Sequence, residues 1–69
     1  MVTNVVYNNT NYVVITYTKD KRYITIIAND DKHKFLCEYV FYNEFEGRLI
    51  HKNIIKNIGK YLEVIENGI

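Results

Sequence analysis

Three side chains in this sequence could bind a soft metal or act as nucleophile or base: His33, Cys37 and His51. A structural zinc site takes four ligands of this kind, and one cysteine with two histidines falls short, so no metal and no cofactor is expected. As a nucleophile Cys37 would need exposure and a base that lowers its pKa. It lies instead in KFLCEYVFY, Lys34 to Tyr42, where the expected strand pairing buries it beside Ile24 and Phe35. There a free cysteine serves as a small hydrophobe. Phosphate-loop, zinc-protease and nucleophile-elbow strings do not occur, and the three glycines are isolated. Glu44 and Glu46 project differently and have no evident pocket. No catalytic residue is assigned, and the chain is expected not to be an enzyme.

Cations offer a second kind of chemistry. Arg48, Lys52, Lys56 and Lys60 recur at four-residue spacing, which places them on one side of a helix. Like charges so placed disfavour an isolated helix by a few tenths of a kcal/mol per pair. Glu63 and Glu66 come late, where the helix dipole favours cations. The stripe could hold phosphates or an acidic partner. The plainer reading is a solvated face on which Lys60 pairs with Glu63. Two further basic groups, Lys19, Lys21 and Arg22, then Lys32, His33 and Lys34, could border tyrosines as in single-strand nucleic-acid platforms. Asp20, Asp30 and Asp31 sit among them, and the two turns lie at opposite ends of one strand, so solvated turns are preferred. With nine basic and eight acidic residues the net charge is +1, too small for a long-range field.

The elements that must carry these residues follow from periodicity. Residues 1–43 are rich in Val, Ile, Thr and Tyr and are interrupted by NNTN, KDKR and NDDK, as strands are by hairpin turns. A turn centred on Asp20-Lys21 places Tyr17 opposite Ile24, Ile15 opposite Ile26, Val13 opposite Ala28 and Thr16 opposite Thr25, sorting like with like. A turn on Asp30-Asp31 then sets Phe35 beside Ile26, Cys37 beside Ile24 and Glu38 beside Tyr23. The first strand, Val2 to Tyr7, is expected to bring Val6 to Val13 and Tyr7 to Tyr12.

From Gly47 the period changes, and Ile50, Ile54, Ile58, Tyr61, Leu62 and Ile65 gather on one side of a helix. Gly59 falls on its outer side. Asn43 and Glu46 form a capping-box spacing. A rival reading stops the helix at Gly59 and makes Tyr61 to Glu66 a fifth strand.

The expected fold is therefore α+β: a single domain, residues 1–69, with an antiparallel four-stranded meander followed by one amphipathic helix on one sheet face. Val6, Val13, Ile15, Tyr17, Ile24, Ile26, Phe35, Cys37, Tyr39 and Phe41 are assigned beneath the helix. That leaves Val5, Tyr7, Tyr12, Val14, Tyr23, Ile27, Leu36, Val40 and Tyr42 on an uncovered face. Monomers seldom expose an apolar patch beyond a few hundred Å², so this face is the expected protein contact surface. Burial of Tyr12, Tyr23 and Leu36 would remove it.

A chain of 69 residues buries only about 60% of its unfolded surface, and its single cysteine cannot form an internal bridge. Oligomerisation is the remaining common remedy, and a homodimer is expected. The N-terminus lacks a basic leader before an apolar block, and no apolar run approaches the roughly 20 residues of a membrane span. A cytoplasmic protein without membrane contact is the expectation. Asn8-Asn9-Thr10 matches a glycosylation sequon, taken as chance in that setting. Abundant Asn, Ile, Lys and Tyr hint at an A/T-rich genome, such as a virus or mobile element. The resulting expectation is a small non-enzymatic binding protein, an inhibitor or regulator, with nucleic-acid binding as the alternative.

Overall fold

In a computed structural model, which describes residues 1–67, the chain forms strands β1 (Val2–Tyr7), β2 (Thr10–Lys19), β3 (Arg22–Asn29) and β4 (Lys34–Phe41). Helices α1 (Glu44–Lys56) and α2 (Ile58–Asn67) follow. The strands make one antiparallel sheet in the order β1-β2-β3-β4. The expected α+β meander is present, with two helices in place of one.

Backbone conformation at the turns sets the register. Asn8 and Asn9 (φ 49° and 60°) and Asp20 and Lys21 (52° and 64°) are left-handed pairs, the geometry of two-residue turns whose twist matches the flanking strands. The second turn produces the β2-β3 register read from the sequence, Tyr17 opposite Ile24 through Val13 opposite Ala28. The first uses only Asn8-Asn9, so Val5 meets Tyr12 and Tyr7 meets Thr10. That is two residues from the expected pairing, and a two-residue slip keeps every side chain on its face.

The third connection departs further. Residues 30–33 link β3 to β4, with Asn29 Oδ1 accepting from the Lys32 amide at 3.1 Å and His33 left-handed at φ 51°. Asp31 accepts from both the backbone amide and Nδ2 of Asn11, each at 2.9 Å. Phe35 consequently faces Ala28, and a bulge follows before Cys37 pairs with Ile27, Glu38 with Ile26 and Val40 with Ile24. One extra residue reverses the side-chain alternation. Cys37, Tyr39 and Phe41 thereby leave the face of Ile24 and Ile26 for that of Tyr23, Thr25 and Ile27.

The α1 N-terminus matches the expected cap. Asn43 Oδ1 accepts from the Glu46 amide at 2.8 Å, and the Glu46 carboxylate accepts in return from Asn43 Nδ2. The helix breaks at Asn57 (φ −123°), whose amide and Nδ2 both donate to the Asn53 carbonyl at 2.9 and 3.2 Å. Its own carbonyl accepts from Lys60 and Tyr61 at 2.9 and 3.3 Å and restarts the helix. An asparagine that competes for backbone partners explains the interruption. Tyr61 to Glu66 lie within α2, so the fifth strand does not form.

Both helices cover the face of Tyr12, Val14 and Ile27, which form the core with Ile54, Ile58 and Leu62. This reverses the expected assignment of the two faces for β1, β2 and β3, whereas on β4 the bulge leaves Cys37 and Tyr39 beneath the helices, as expected. Judged by apolar content, Val13, Ile15, Ile24 and Ile26 outrank a face with Thr16 and Thr25 at its centre. His51 removes that objection. It is 2% exposed and sits between Thr3 Oγ1, 2.9 Å from Nε2, and Thr16 Oγ1, 2.7 Å from Nδ1. Thr16 in turn meets Thr25 at 2.7 Å. With partners in place, burying hydroxyls on this face carries little desolvation penalty.

Two glycines allow the close approach. A Cβ on Gly47 would stand 2.9 Å from Tyr23 Cβ, and one on Gly59 would stand 2.6 Å from Tyr7 Oη. Gly59 thus packs over Tyr7 instead of pointing outward.

Candidate contact site

The residues expected to form an open surface divide. Tyr12, Val14 and Ile27 are buried in the core, and Val5 and Leu36 pack against it. Tyr23 is half-buried under Gly47, and the Tyr7 ring is occupied by Gly59. The surface inferred from Tyr12, Tyr23 and Leu36 is therefore lost within the single chain. Tyr7, Val40 and Tyr42 remain exposed, at 38%, 39% and 75%; Tyr7 stays on the helix-covered face, and the bulge carries Val40 to the opposite one.

That opposite face is the uncovered one. Val13, Ile15 and Tyr17 on β2 lie beside Ala28, Ile26 and Ile24 on β3. Val2 and Val6 extend the face along β1, and Phe35 and Val40 along β4. Val2, Val6, Tyr17 and Phe35 are 43–68% exposed. Ile24 is 7% exposed although no helix lies over it; its cross-strand neighbours Tyr17 and Val40 shield it. Asn4, Asn11, Lys19, Arg22 and Glu38 are the polar members, and all stand at strand ends or on the edge strands β1 and β4. An apolar centre within a polar rim is the usual anatomy of a protein interface. With a fully exposed aromatic presenting about 150–250 Å², the face offers on the order of 500–700 Å² of apolar area, close to the ~800 Å² per partner of a standard interface.

The helical cations occupy the outer layer. Arg48 pairs with Glu44 at 2.5 Å, one turn away. Lys52, Lys56 and Lys60 are exposed and make no ion pair among the described residues. The expected Lys60–Glu63 pair does not form. Glu63 faces a hollow bounded by Tyr7, Thr10 and Gly59 on the other flank of α2. Beside the lysines a cleft of about 450 Å³ opens between β4 and the helices, lined by Tyr39, Asn53, Asn57, Lys60, Tyr61 and Val64. The Tyr39 and Tyr61 rings meet edge to face at 6.0 Å and 87°. Burial, reinforced by Cys37 and Tyr61, pushes the Tyr39 hydroxyl up to about 12. It stays a neutral donor at physiological pH.

Elsewhere the chemistry is quiet. Burial raises the Cys37 thiol, which is half-buried against the core and therefore protonated near neutrality. Among the described residues no three His, Cys, Asp or Glu side chains converge to hold a metal. The basic turns sit at opposite ends of β3, with Arg22 3.7 Å from Asp20. Among the described residues no helix is long and apolar enough to cross a membrane. The polar cluster of Thr3, Thr16, Thr25 and His51 has no local sequence signal, since its members lie on three strands and a helix. Comparison with protein-family models, curated proteins and solved structures finds no match.

Proposed function

We propose that this chain is a non-enzymatic contact protein that self-associates through the uncovered sheet face, two copies packing sheet against sheet. One observation carries the reading: Val13, Ile15, Tyr17, Ile24, Ile26, Phe35 and Val40 form one apolar surface with no element above it among the described residues. Aligned sheets pack about 10 Å apart through interdigitating side chains, and a two-fold arrangement makes one patch complementary to itself. The area approaches what one partner contributes to a standard interface, and association adds burial that a chain of 69 residues lacks. Both helical layers then face outward.

Sedimentation across a dilution series tests this. The wild type should move from dimer to monomer on dilution, and Ile15→Lys should be monomeric throughout, with a concentration-independent thermal transition matching that of the wild type diluted to monomer. Ile15 is half-buried by lateral neighbours only, so a lysine there can lift its ammonium into water. A wild type that is monomeric at every concentration, or an Ile15→Lys dimer, overturns the proposal.

A further inference from the structure

The outer helical layer carries a second surface, and we infer that the cleft between Tyr39 and Tyr61, with the lysine row beside it, binds single-stranded nucleic acid. The sequence distributes cations and polar side chains in phase. Lys52 and Lys56 each precede a cleft residue, Asn53 and Asn57, by one position, and Lys60 lines the cleft itself. Lys52 and Lys56, four residues apart on α1, are separated by about 6 Å along the helix, and Lys60 follows on α2 beyond the break at Asn57. A flexible phosphate chain can follow such a row.

Charge is sorted to leave this flank positive. Glu44 is taken by Arg48, and Glu46 by Asn43 at the cap. Glu63 lines a hollow on the β1-β2 flank of α2, and Glu66 lines both that hollow and one beside Lys32 and Lys34 at the β3-β4 connection. Glu38 is on the far face of the sheet, opposite Ile26. Among the described residues Lys60 is the only charged side chain lining the cleft. A volume of about 450 Å³ lies within the usual range of small-ligand sites.

The lining chemistry selects bases over acidic peptide. Two tyrosines and Val64 give a planar group an apolar bed, and aromatic–base contact is worth about 1–3 kcal/mol per base. Asn53 and Asn57 supply carboxamides whose paired donor and acceptor match base edges. An acidic peptide would use the lysines and leave these groups idle. The surface faces away from the proposed dimer contact and does not depend on it.

Anisotropy titrations of the full chain with labelled oligothymidylate and with polyglutamate, at several salt concentrations, test this. Oligothymidylate should bind at low salt with a log–log salt slope of about −2, as three phosphate contacts on a single strand require. Lys52→Gln/Lys56→Gln/Lys60→Gln should weaken it at least tenfold and flatten the slope. Val64→Glu, at a 68% exposed position, should weaken it several-fold without moving the melting transition. Persistence of binding in the Ile15→Lys monomer would show that it stands apart from self-association. Absent binding at low salt, unchanged binding in the triple variant, or equal binding of polyglutamate overturns the inference.

Discussion

The two faces of one sheet solve the same burial problem differently. The covered face mixes Tyr12, Val14 and Ile27 with Thr16 and Thr25, and a histidine from α1 satisfies the hydroxyls. The uncovered face is more uniformly aliphatic, with Val13, Ile15, Ile24 and Ile26 at its centre. Apolar content alone did not decide which face the helices took. Hydrogen-bond satisfaction and the close approach at Gly47 and Gly59 accompany the choice, and the greasier face is left without a helix over it.

Adjacent isoleucines on β3 give the sharpest way to break that contrast. Ile27 is fully buried, and Ile27→Ala should cost about 2–5 kcal/mol in a urea melt. Ile26→Ala, below the dimer dissociation constant, should cost under ~1 kcal/mol and instead weaken association. Equal costs in the dilute monomer would mean the faces are not distinct. The helix layer offers a smaller pair. Gly47→Ala drives a methyl against Tyr23 Cβ, which is fixed to the strand backbone, and should cost about 1–3 kcal/mol. At Gly59 the obstacle is the far end of the Tyr7 side chain, itself 38% exposed. That ring can swing, and alanine recovers up to about 1 kcal/mol of helix propensity, so Gly59→Ala should be near neutral.

Acid should act on the covered face alone. Burial first, then the Met1 ammonium, hold His51 below its ordinary 6.5. The unfolded chain therefore takes up this proton at higher pH than the folded chain. The contribution of neutral His51 is complete above about 6.5 and is lost as pH falls through that value, at no more than ~1.4 kcal/mol per unit for one proton. Urea midpoints at pH 7.5 and 5.5 check this; His51→Gln should flatten the difference. A wild type with no loss between those values would show that the imidazole is not held neutral by its surroundings.

Sequence periodicity reached the meander, the Asp20-Lys21 hairpin, the Asn43 cap and the Ile54, Ile58 and Leu62 stripe, because each depends on neighbours within a turn or across one hairpin. The β4 bulge escaped it. Asp31 is drawn to Asn11, twenty residues away, and the longer connection that results displaces the register by an amount local spacing does not encode. The face assignment failed for a related reason: Thr16 reads as outward until a histidine 35 positions later is known to reach it. The helix break at Asn57 had a visible cause, a polar side chain two residues before glycine, but the same residues also suited an uninterrupted helix. Of the contact residues first named, Tyr7, Val40 and Tyr42 remain exposed; the basic helical stripe is exposed as read, without the Glu63 pairing.

The Asp20-Lys21 turn has one further consequence. Asparagine and aspartate tolerate left-handed backbone through their short polar side chains, but Lys21 at φ 64° has no such relief. An ordinary side chain there forgoes about 1 kcal/mol that glycine would not. The hairpin that aligns the two central strands is thus held by its long-range partners against a local preference, and this small chain keeps unspent headroom for thermostability at a single solvent-exposed position.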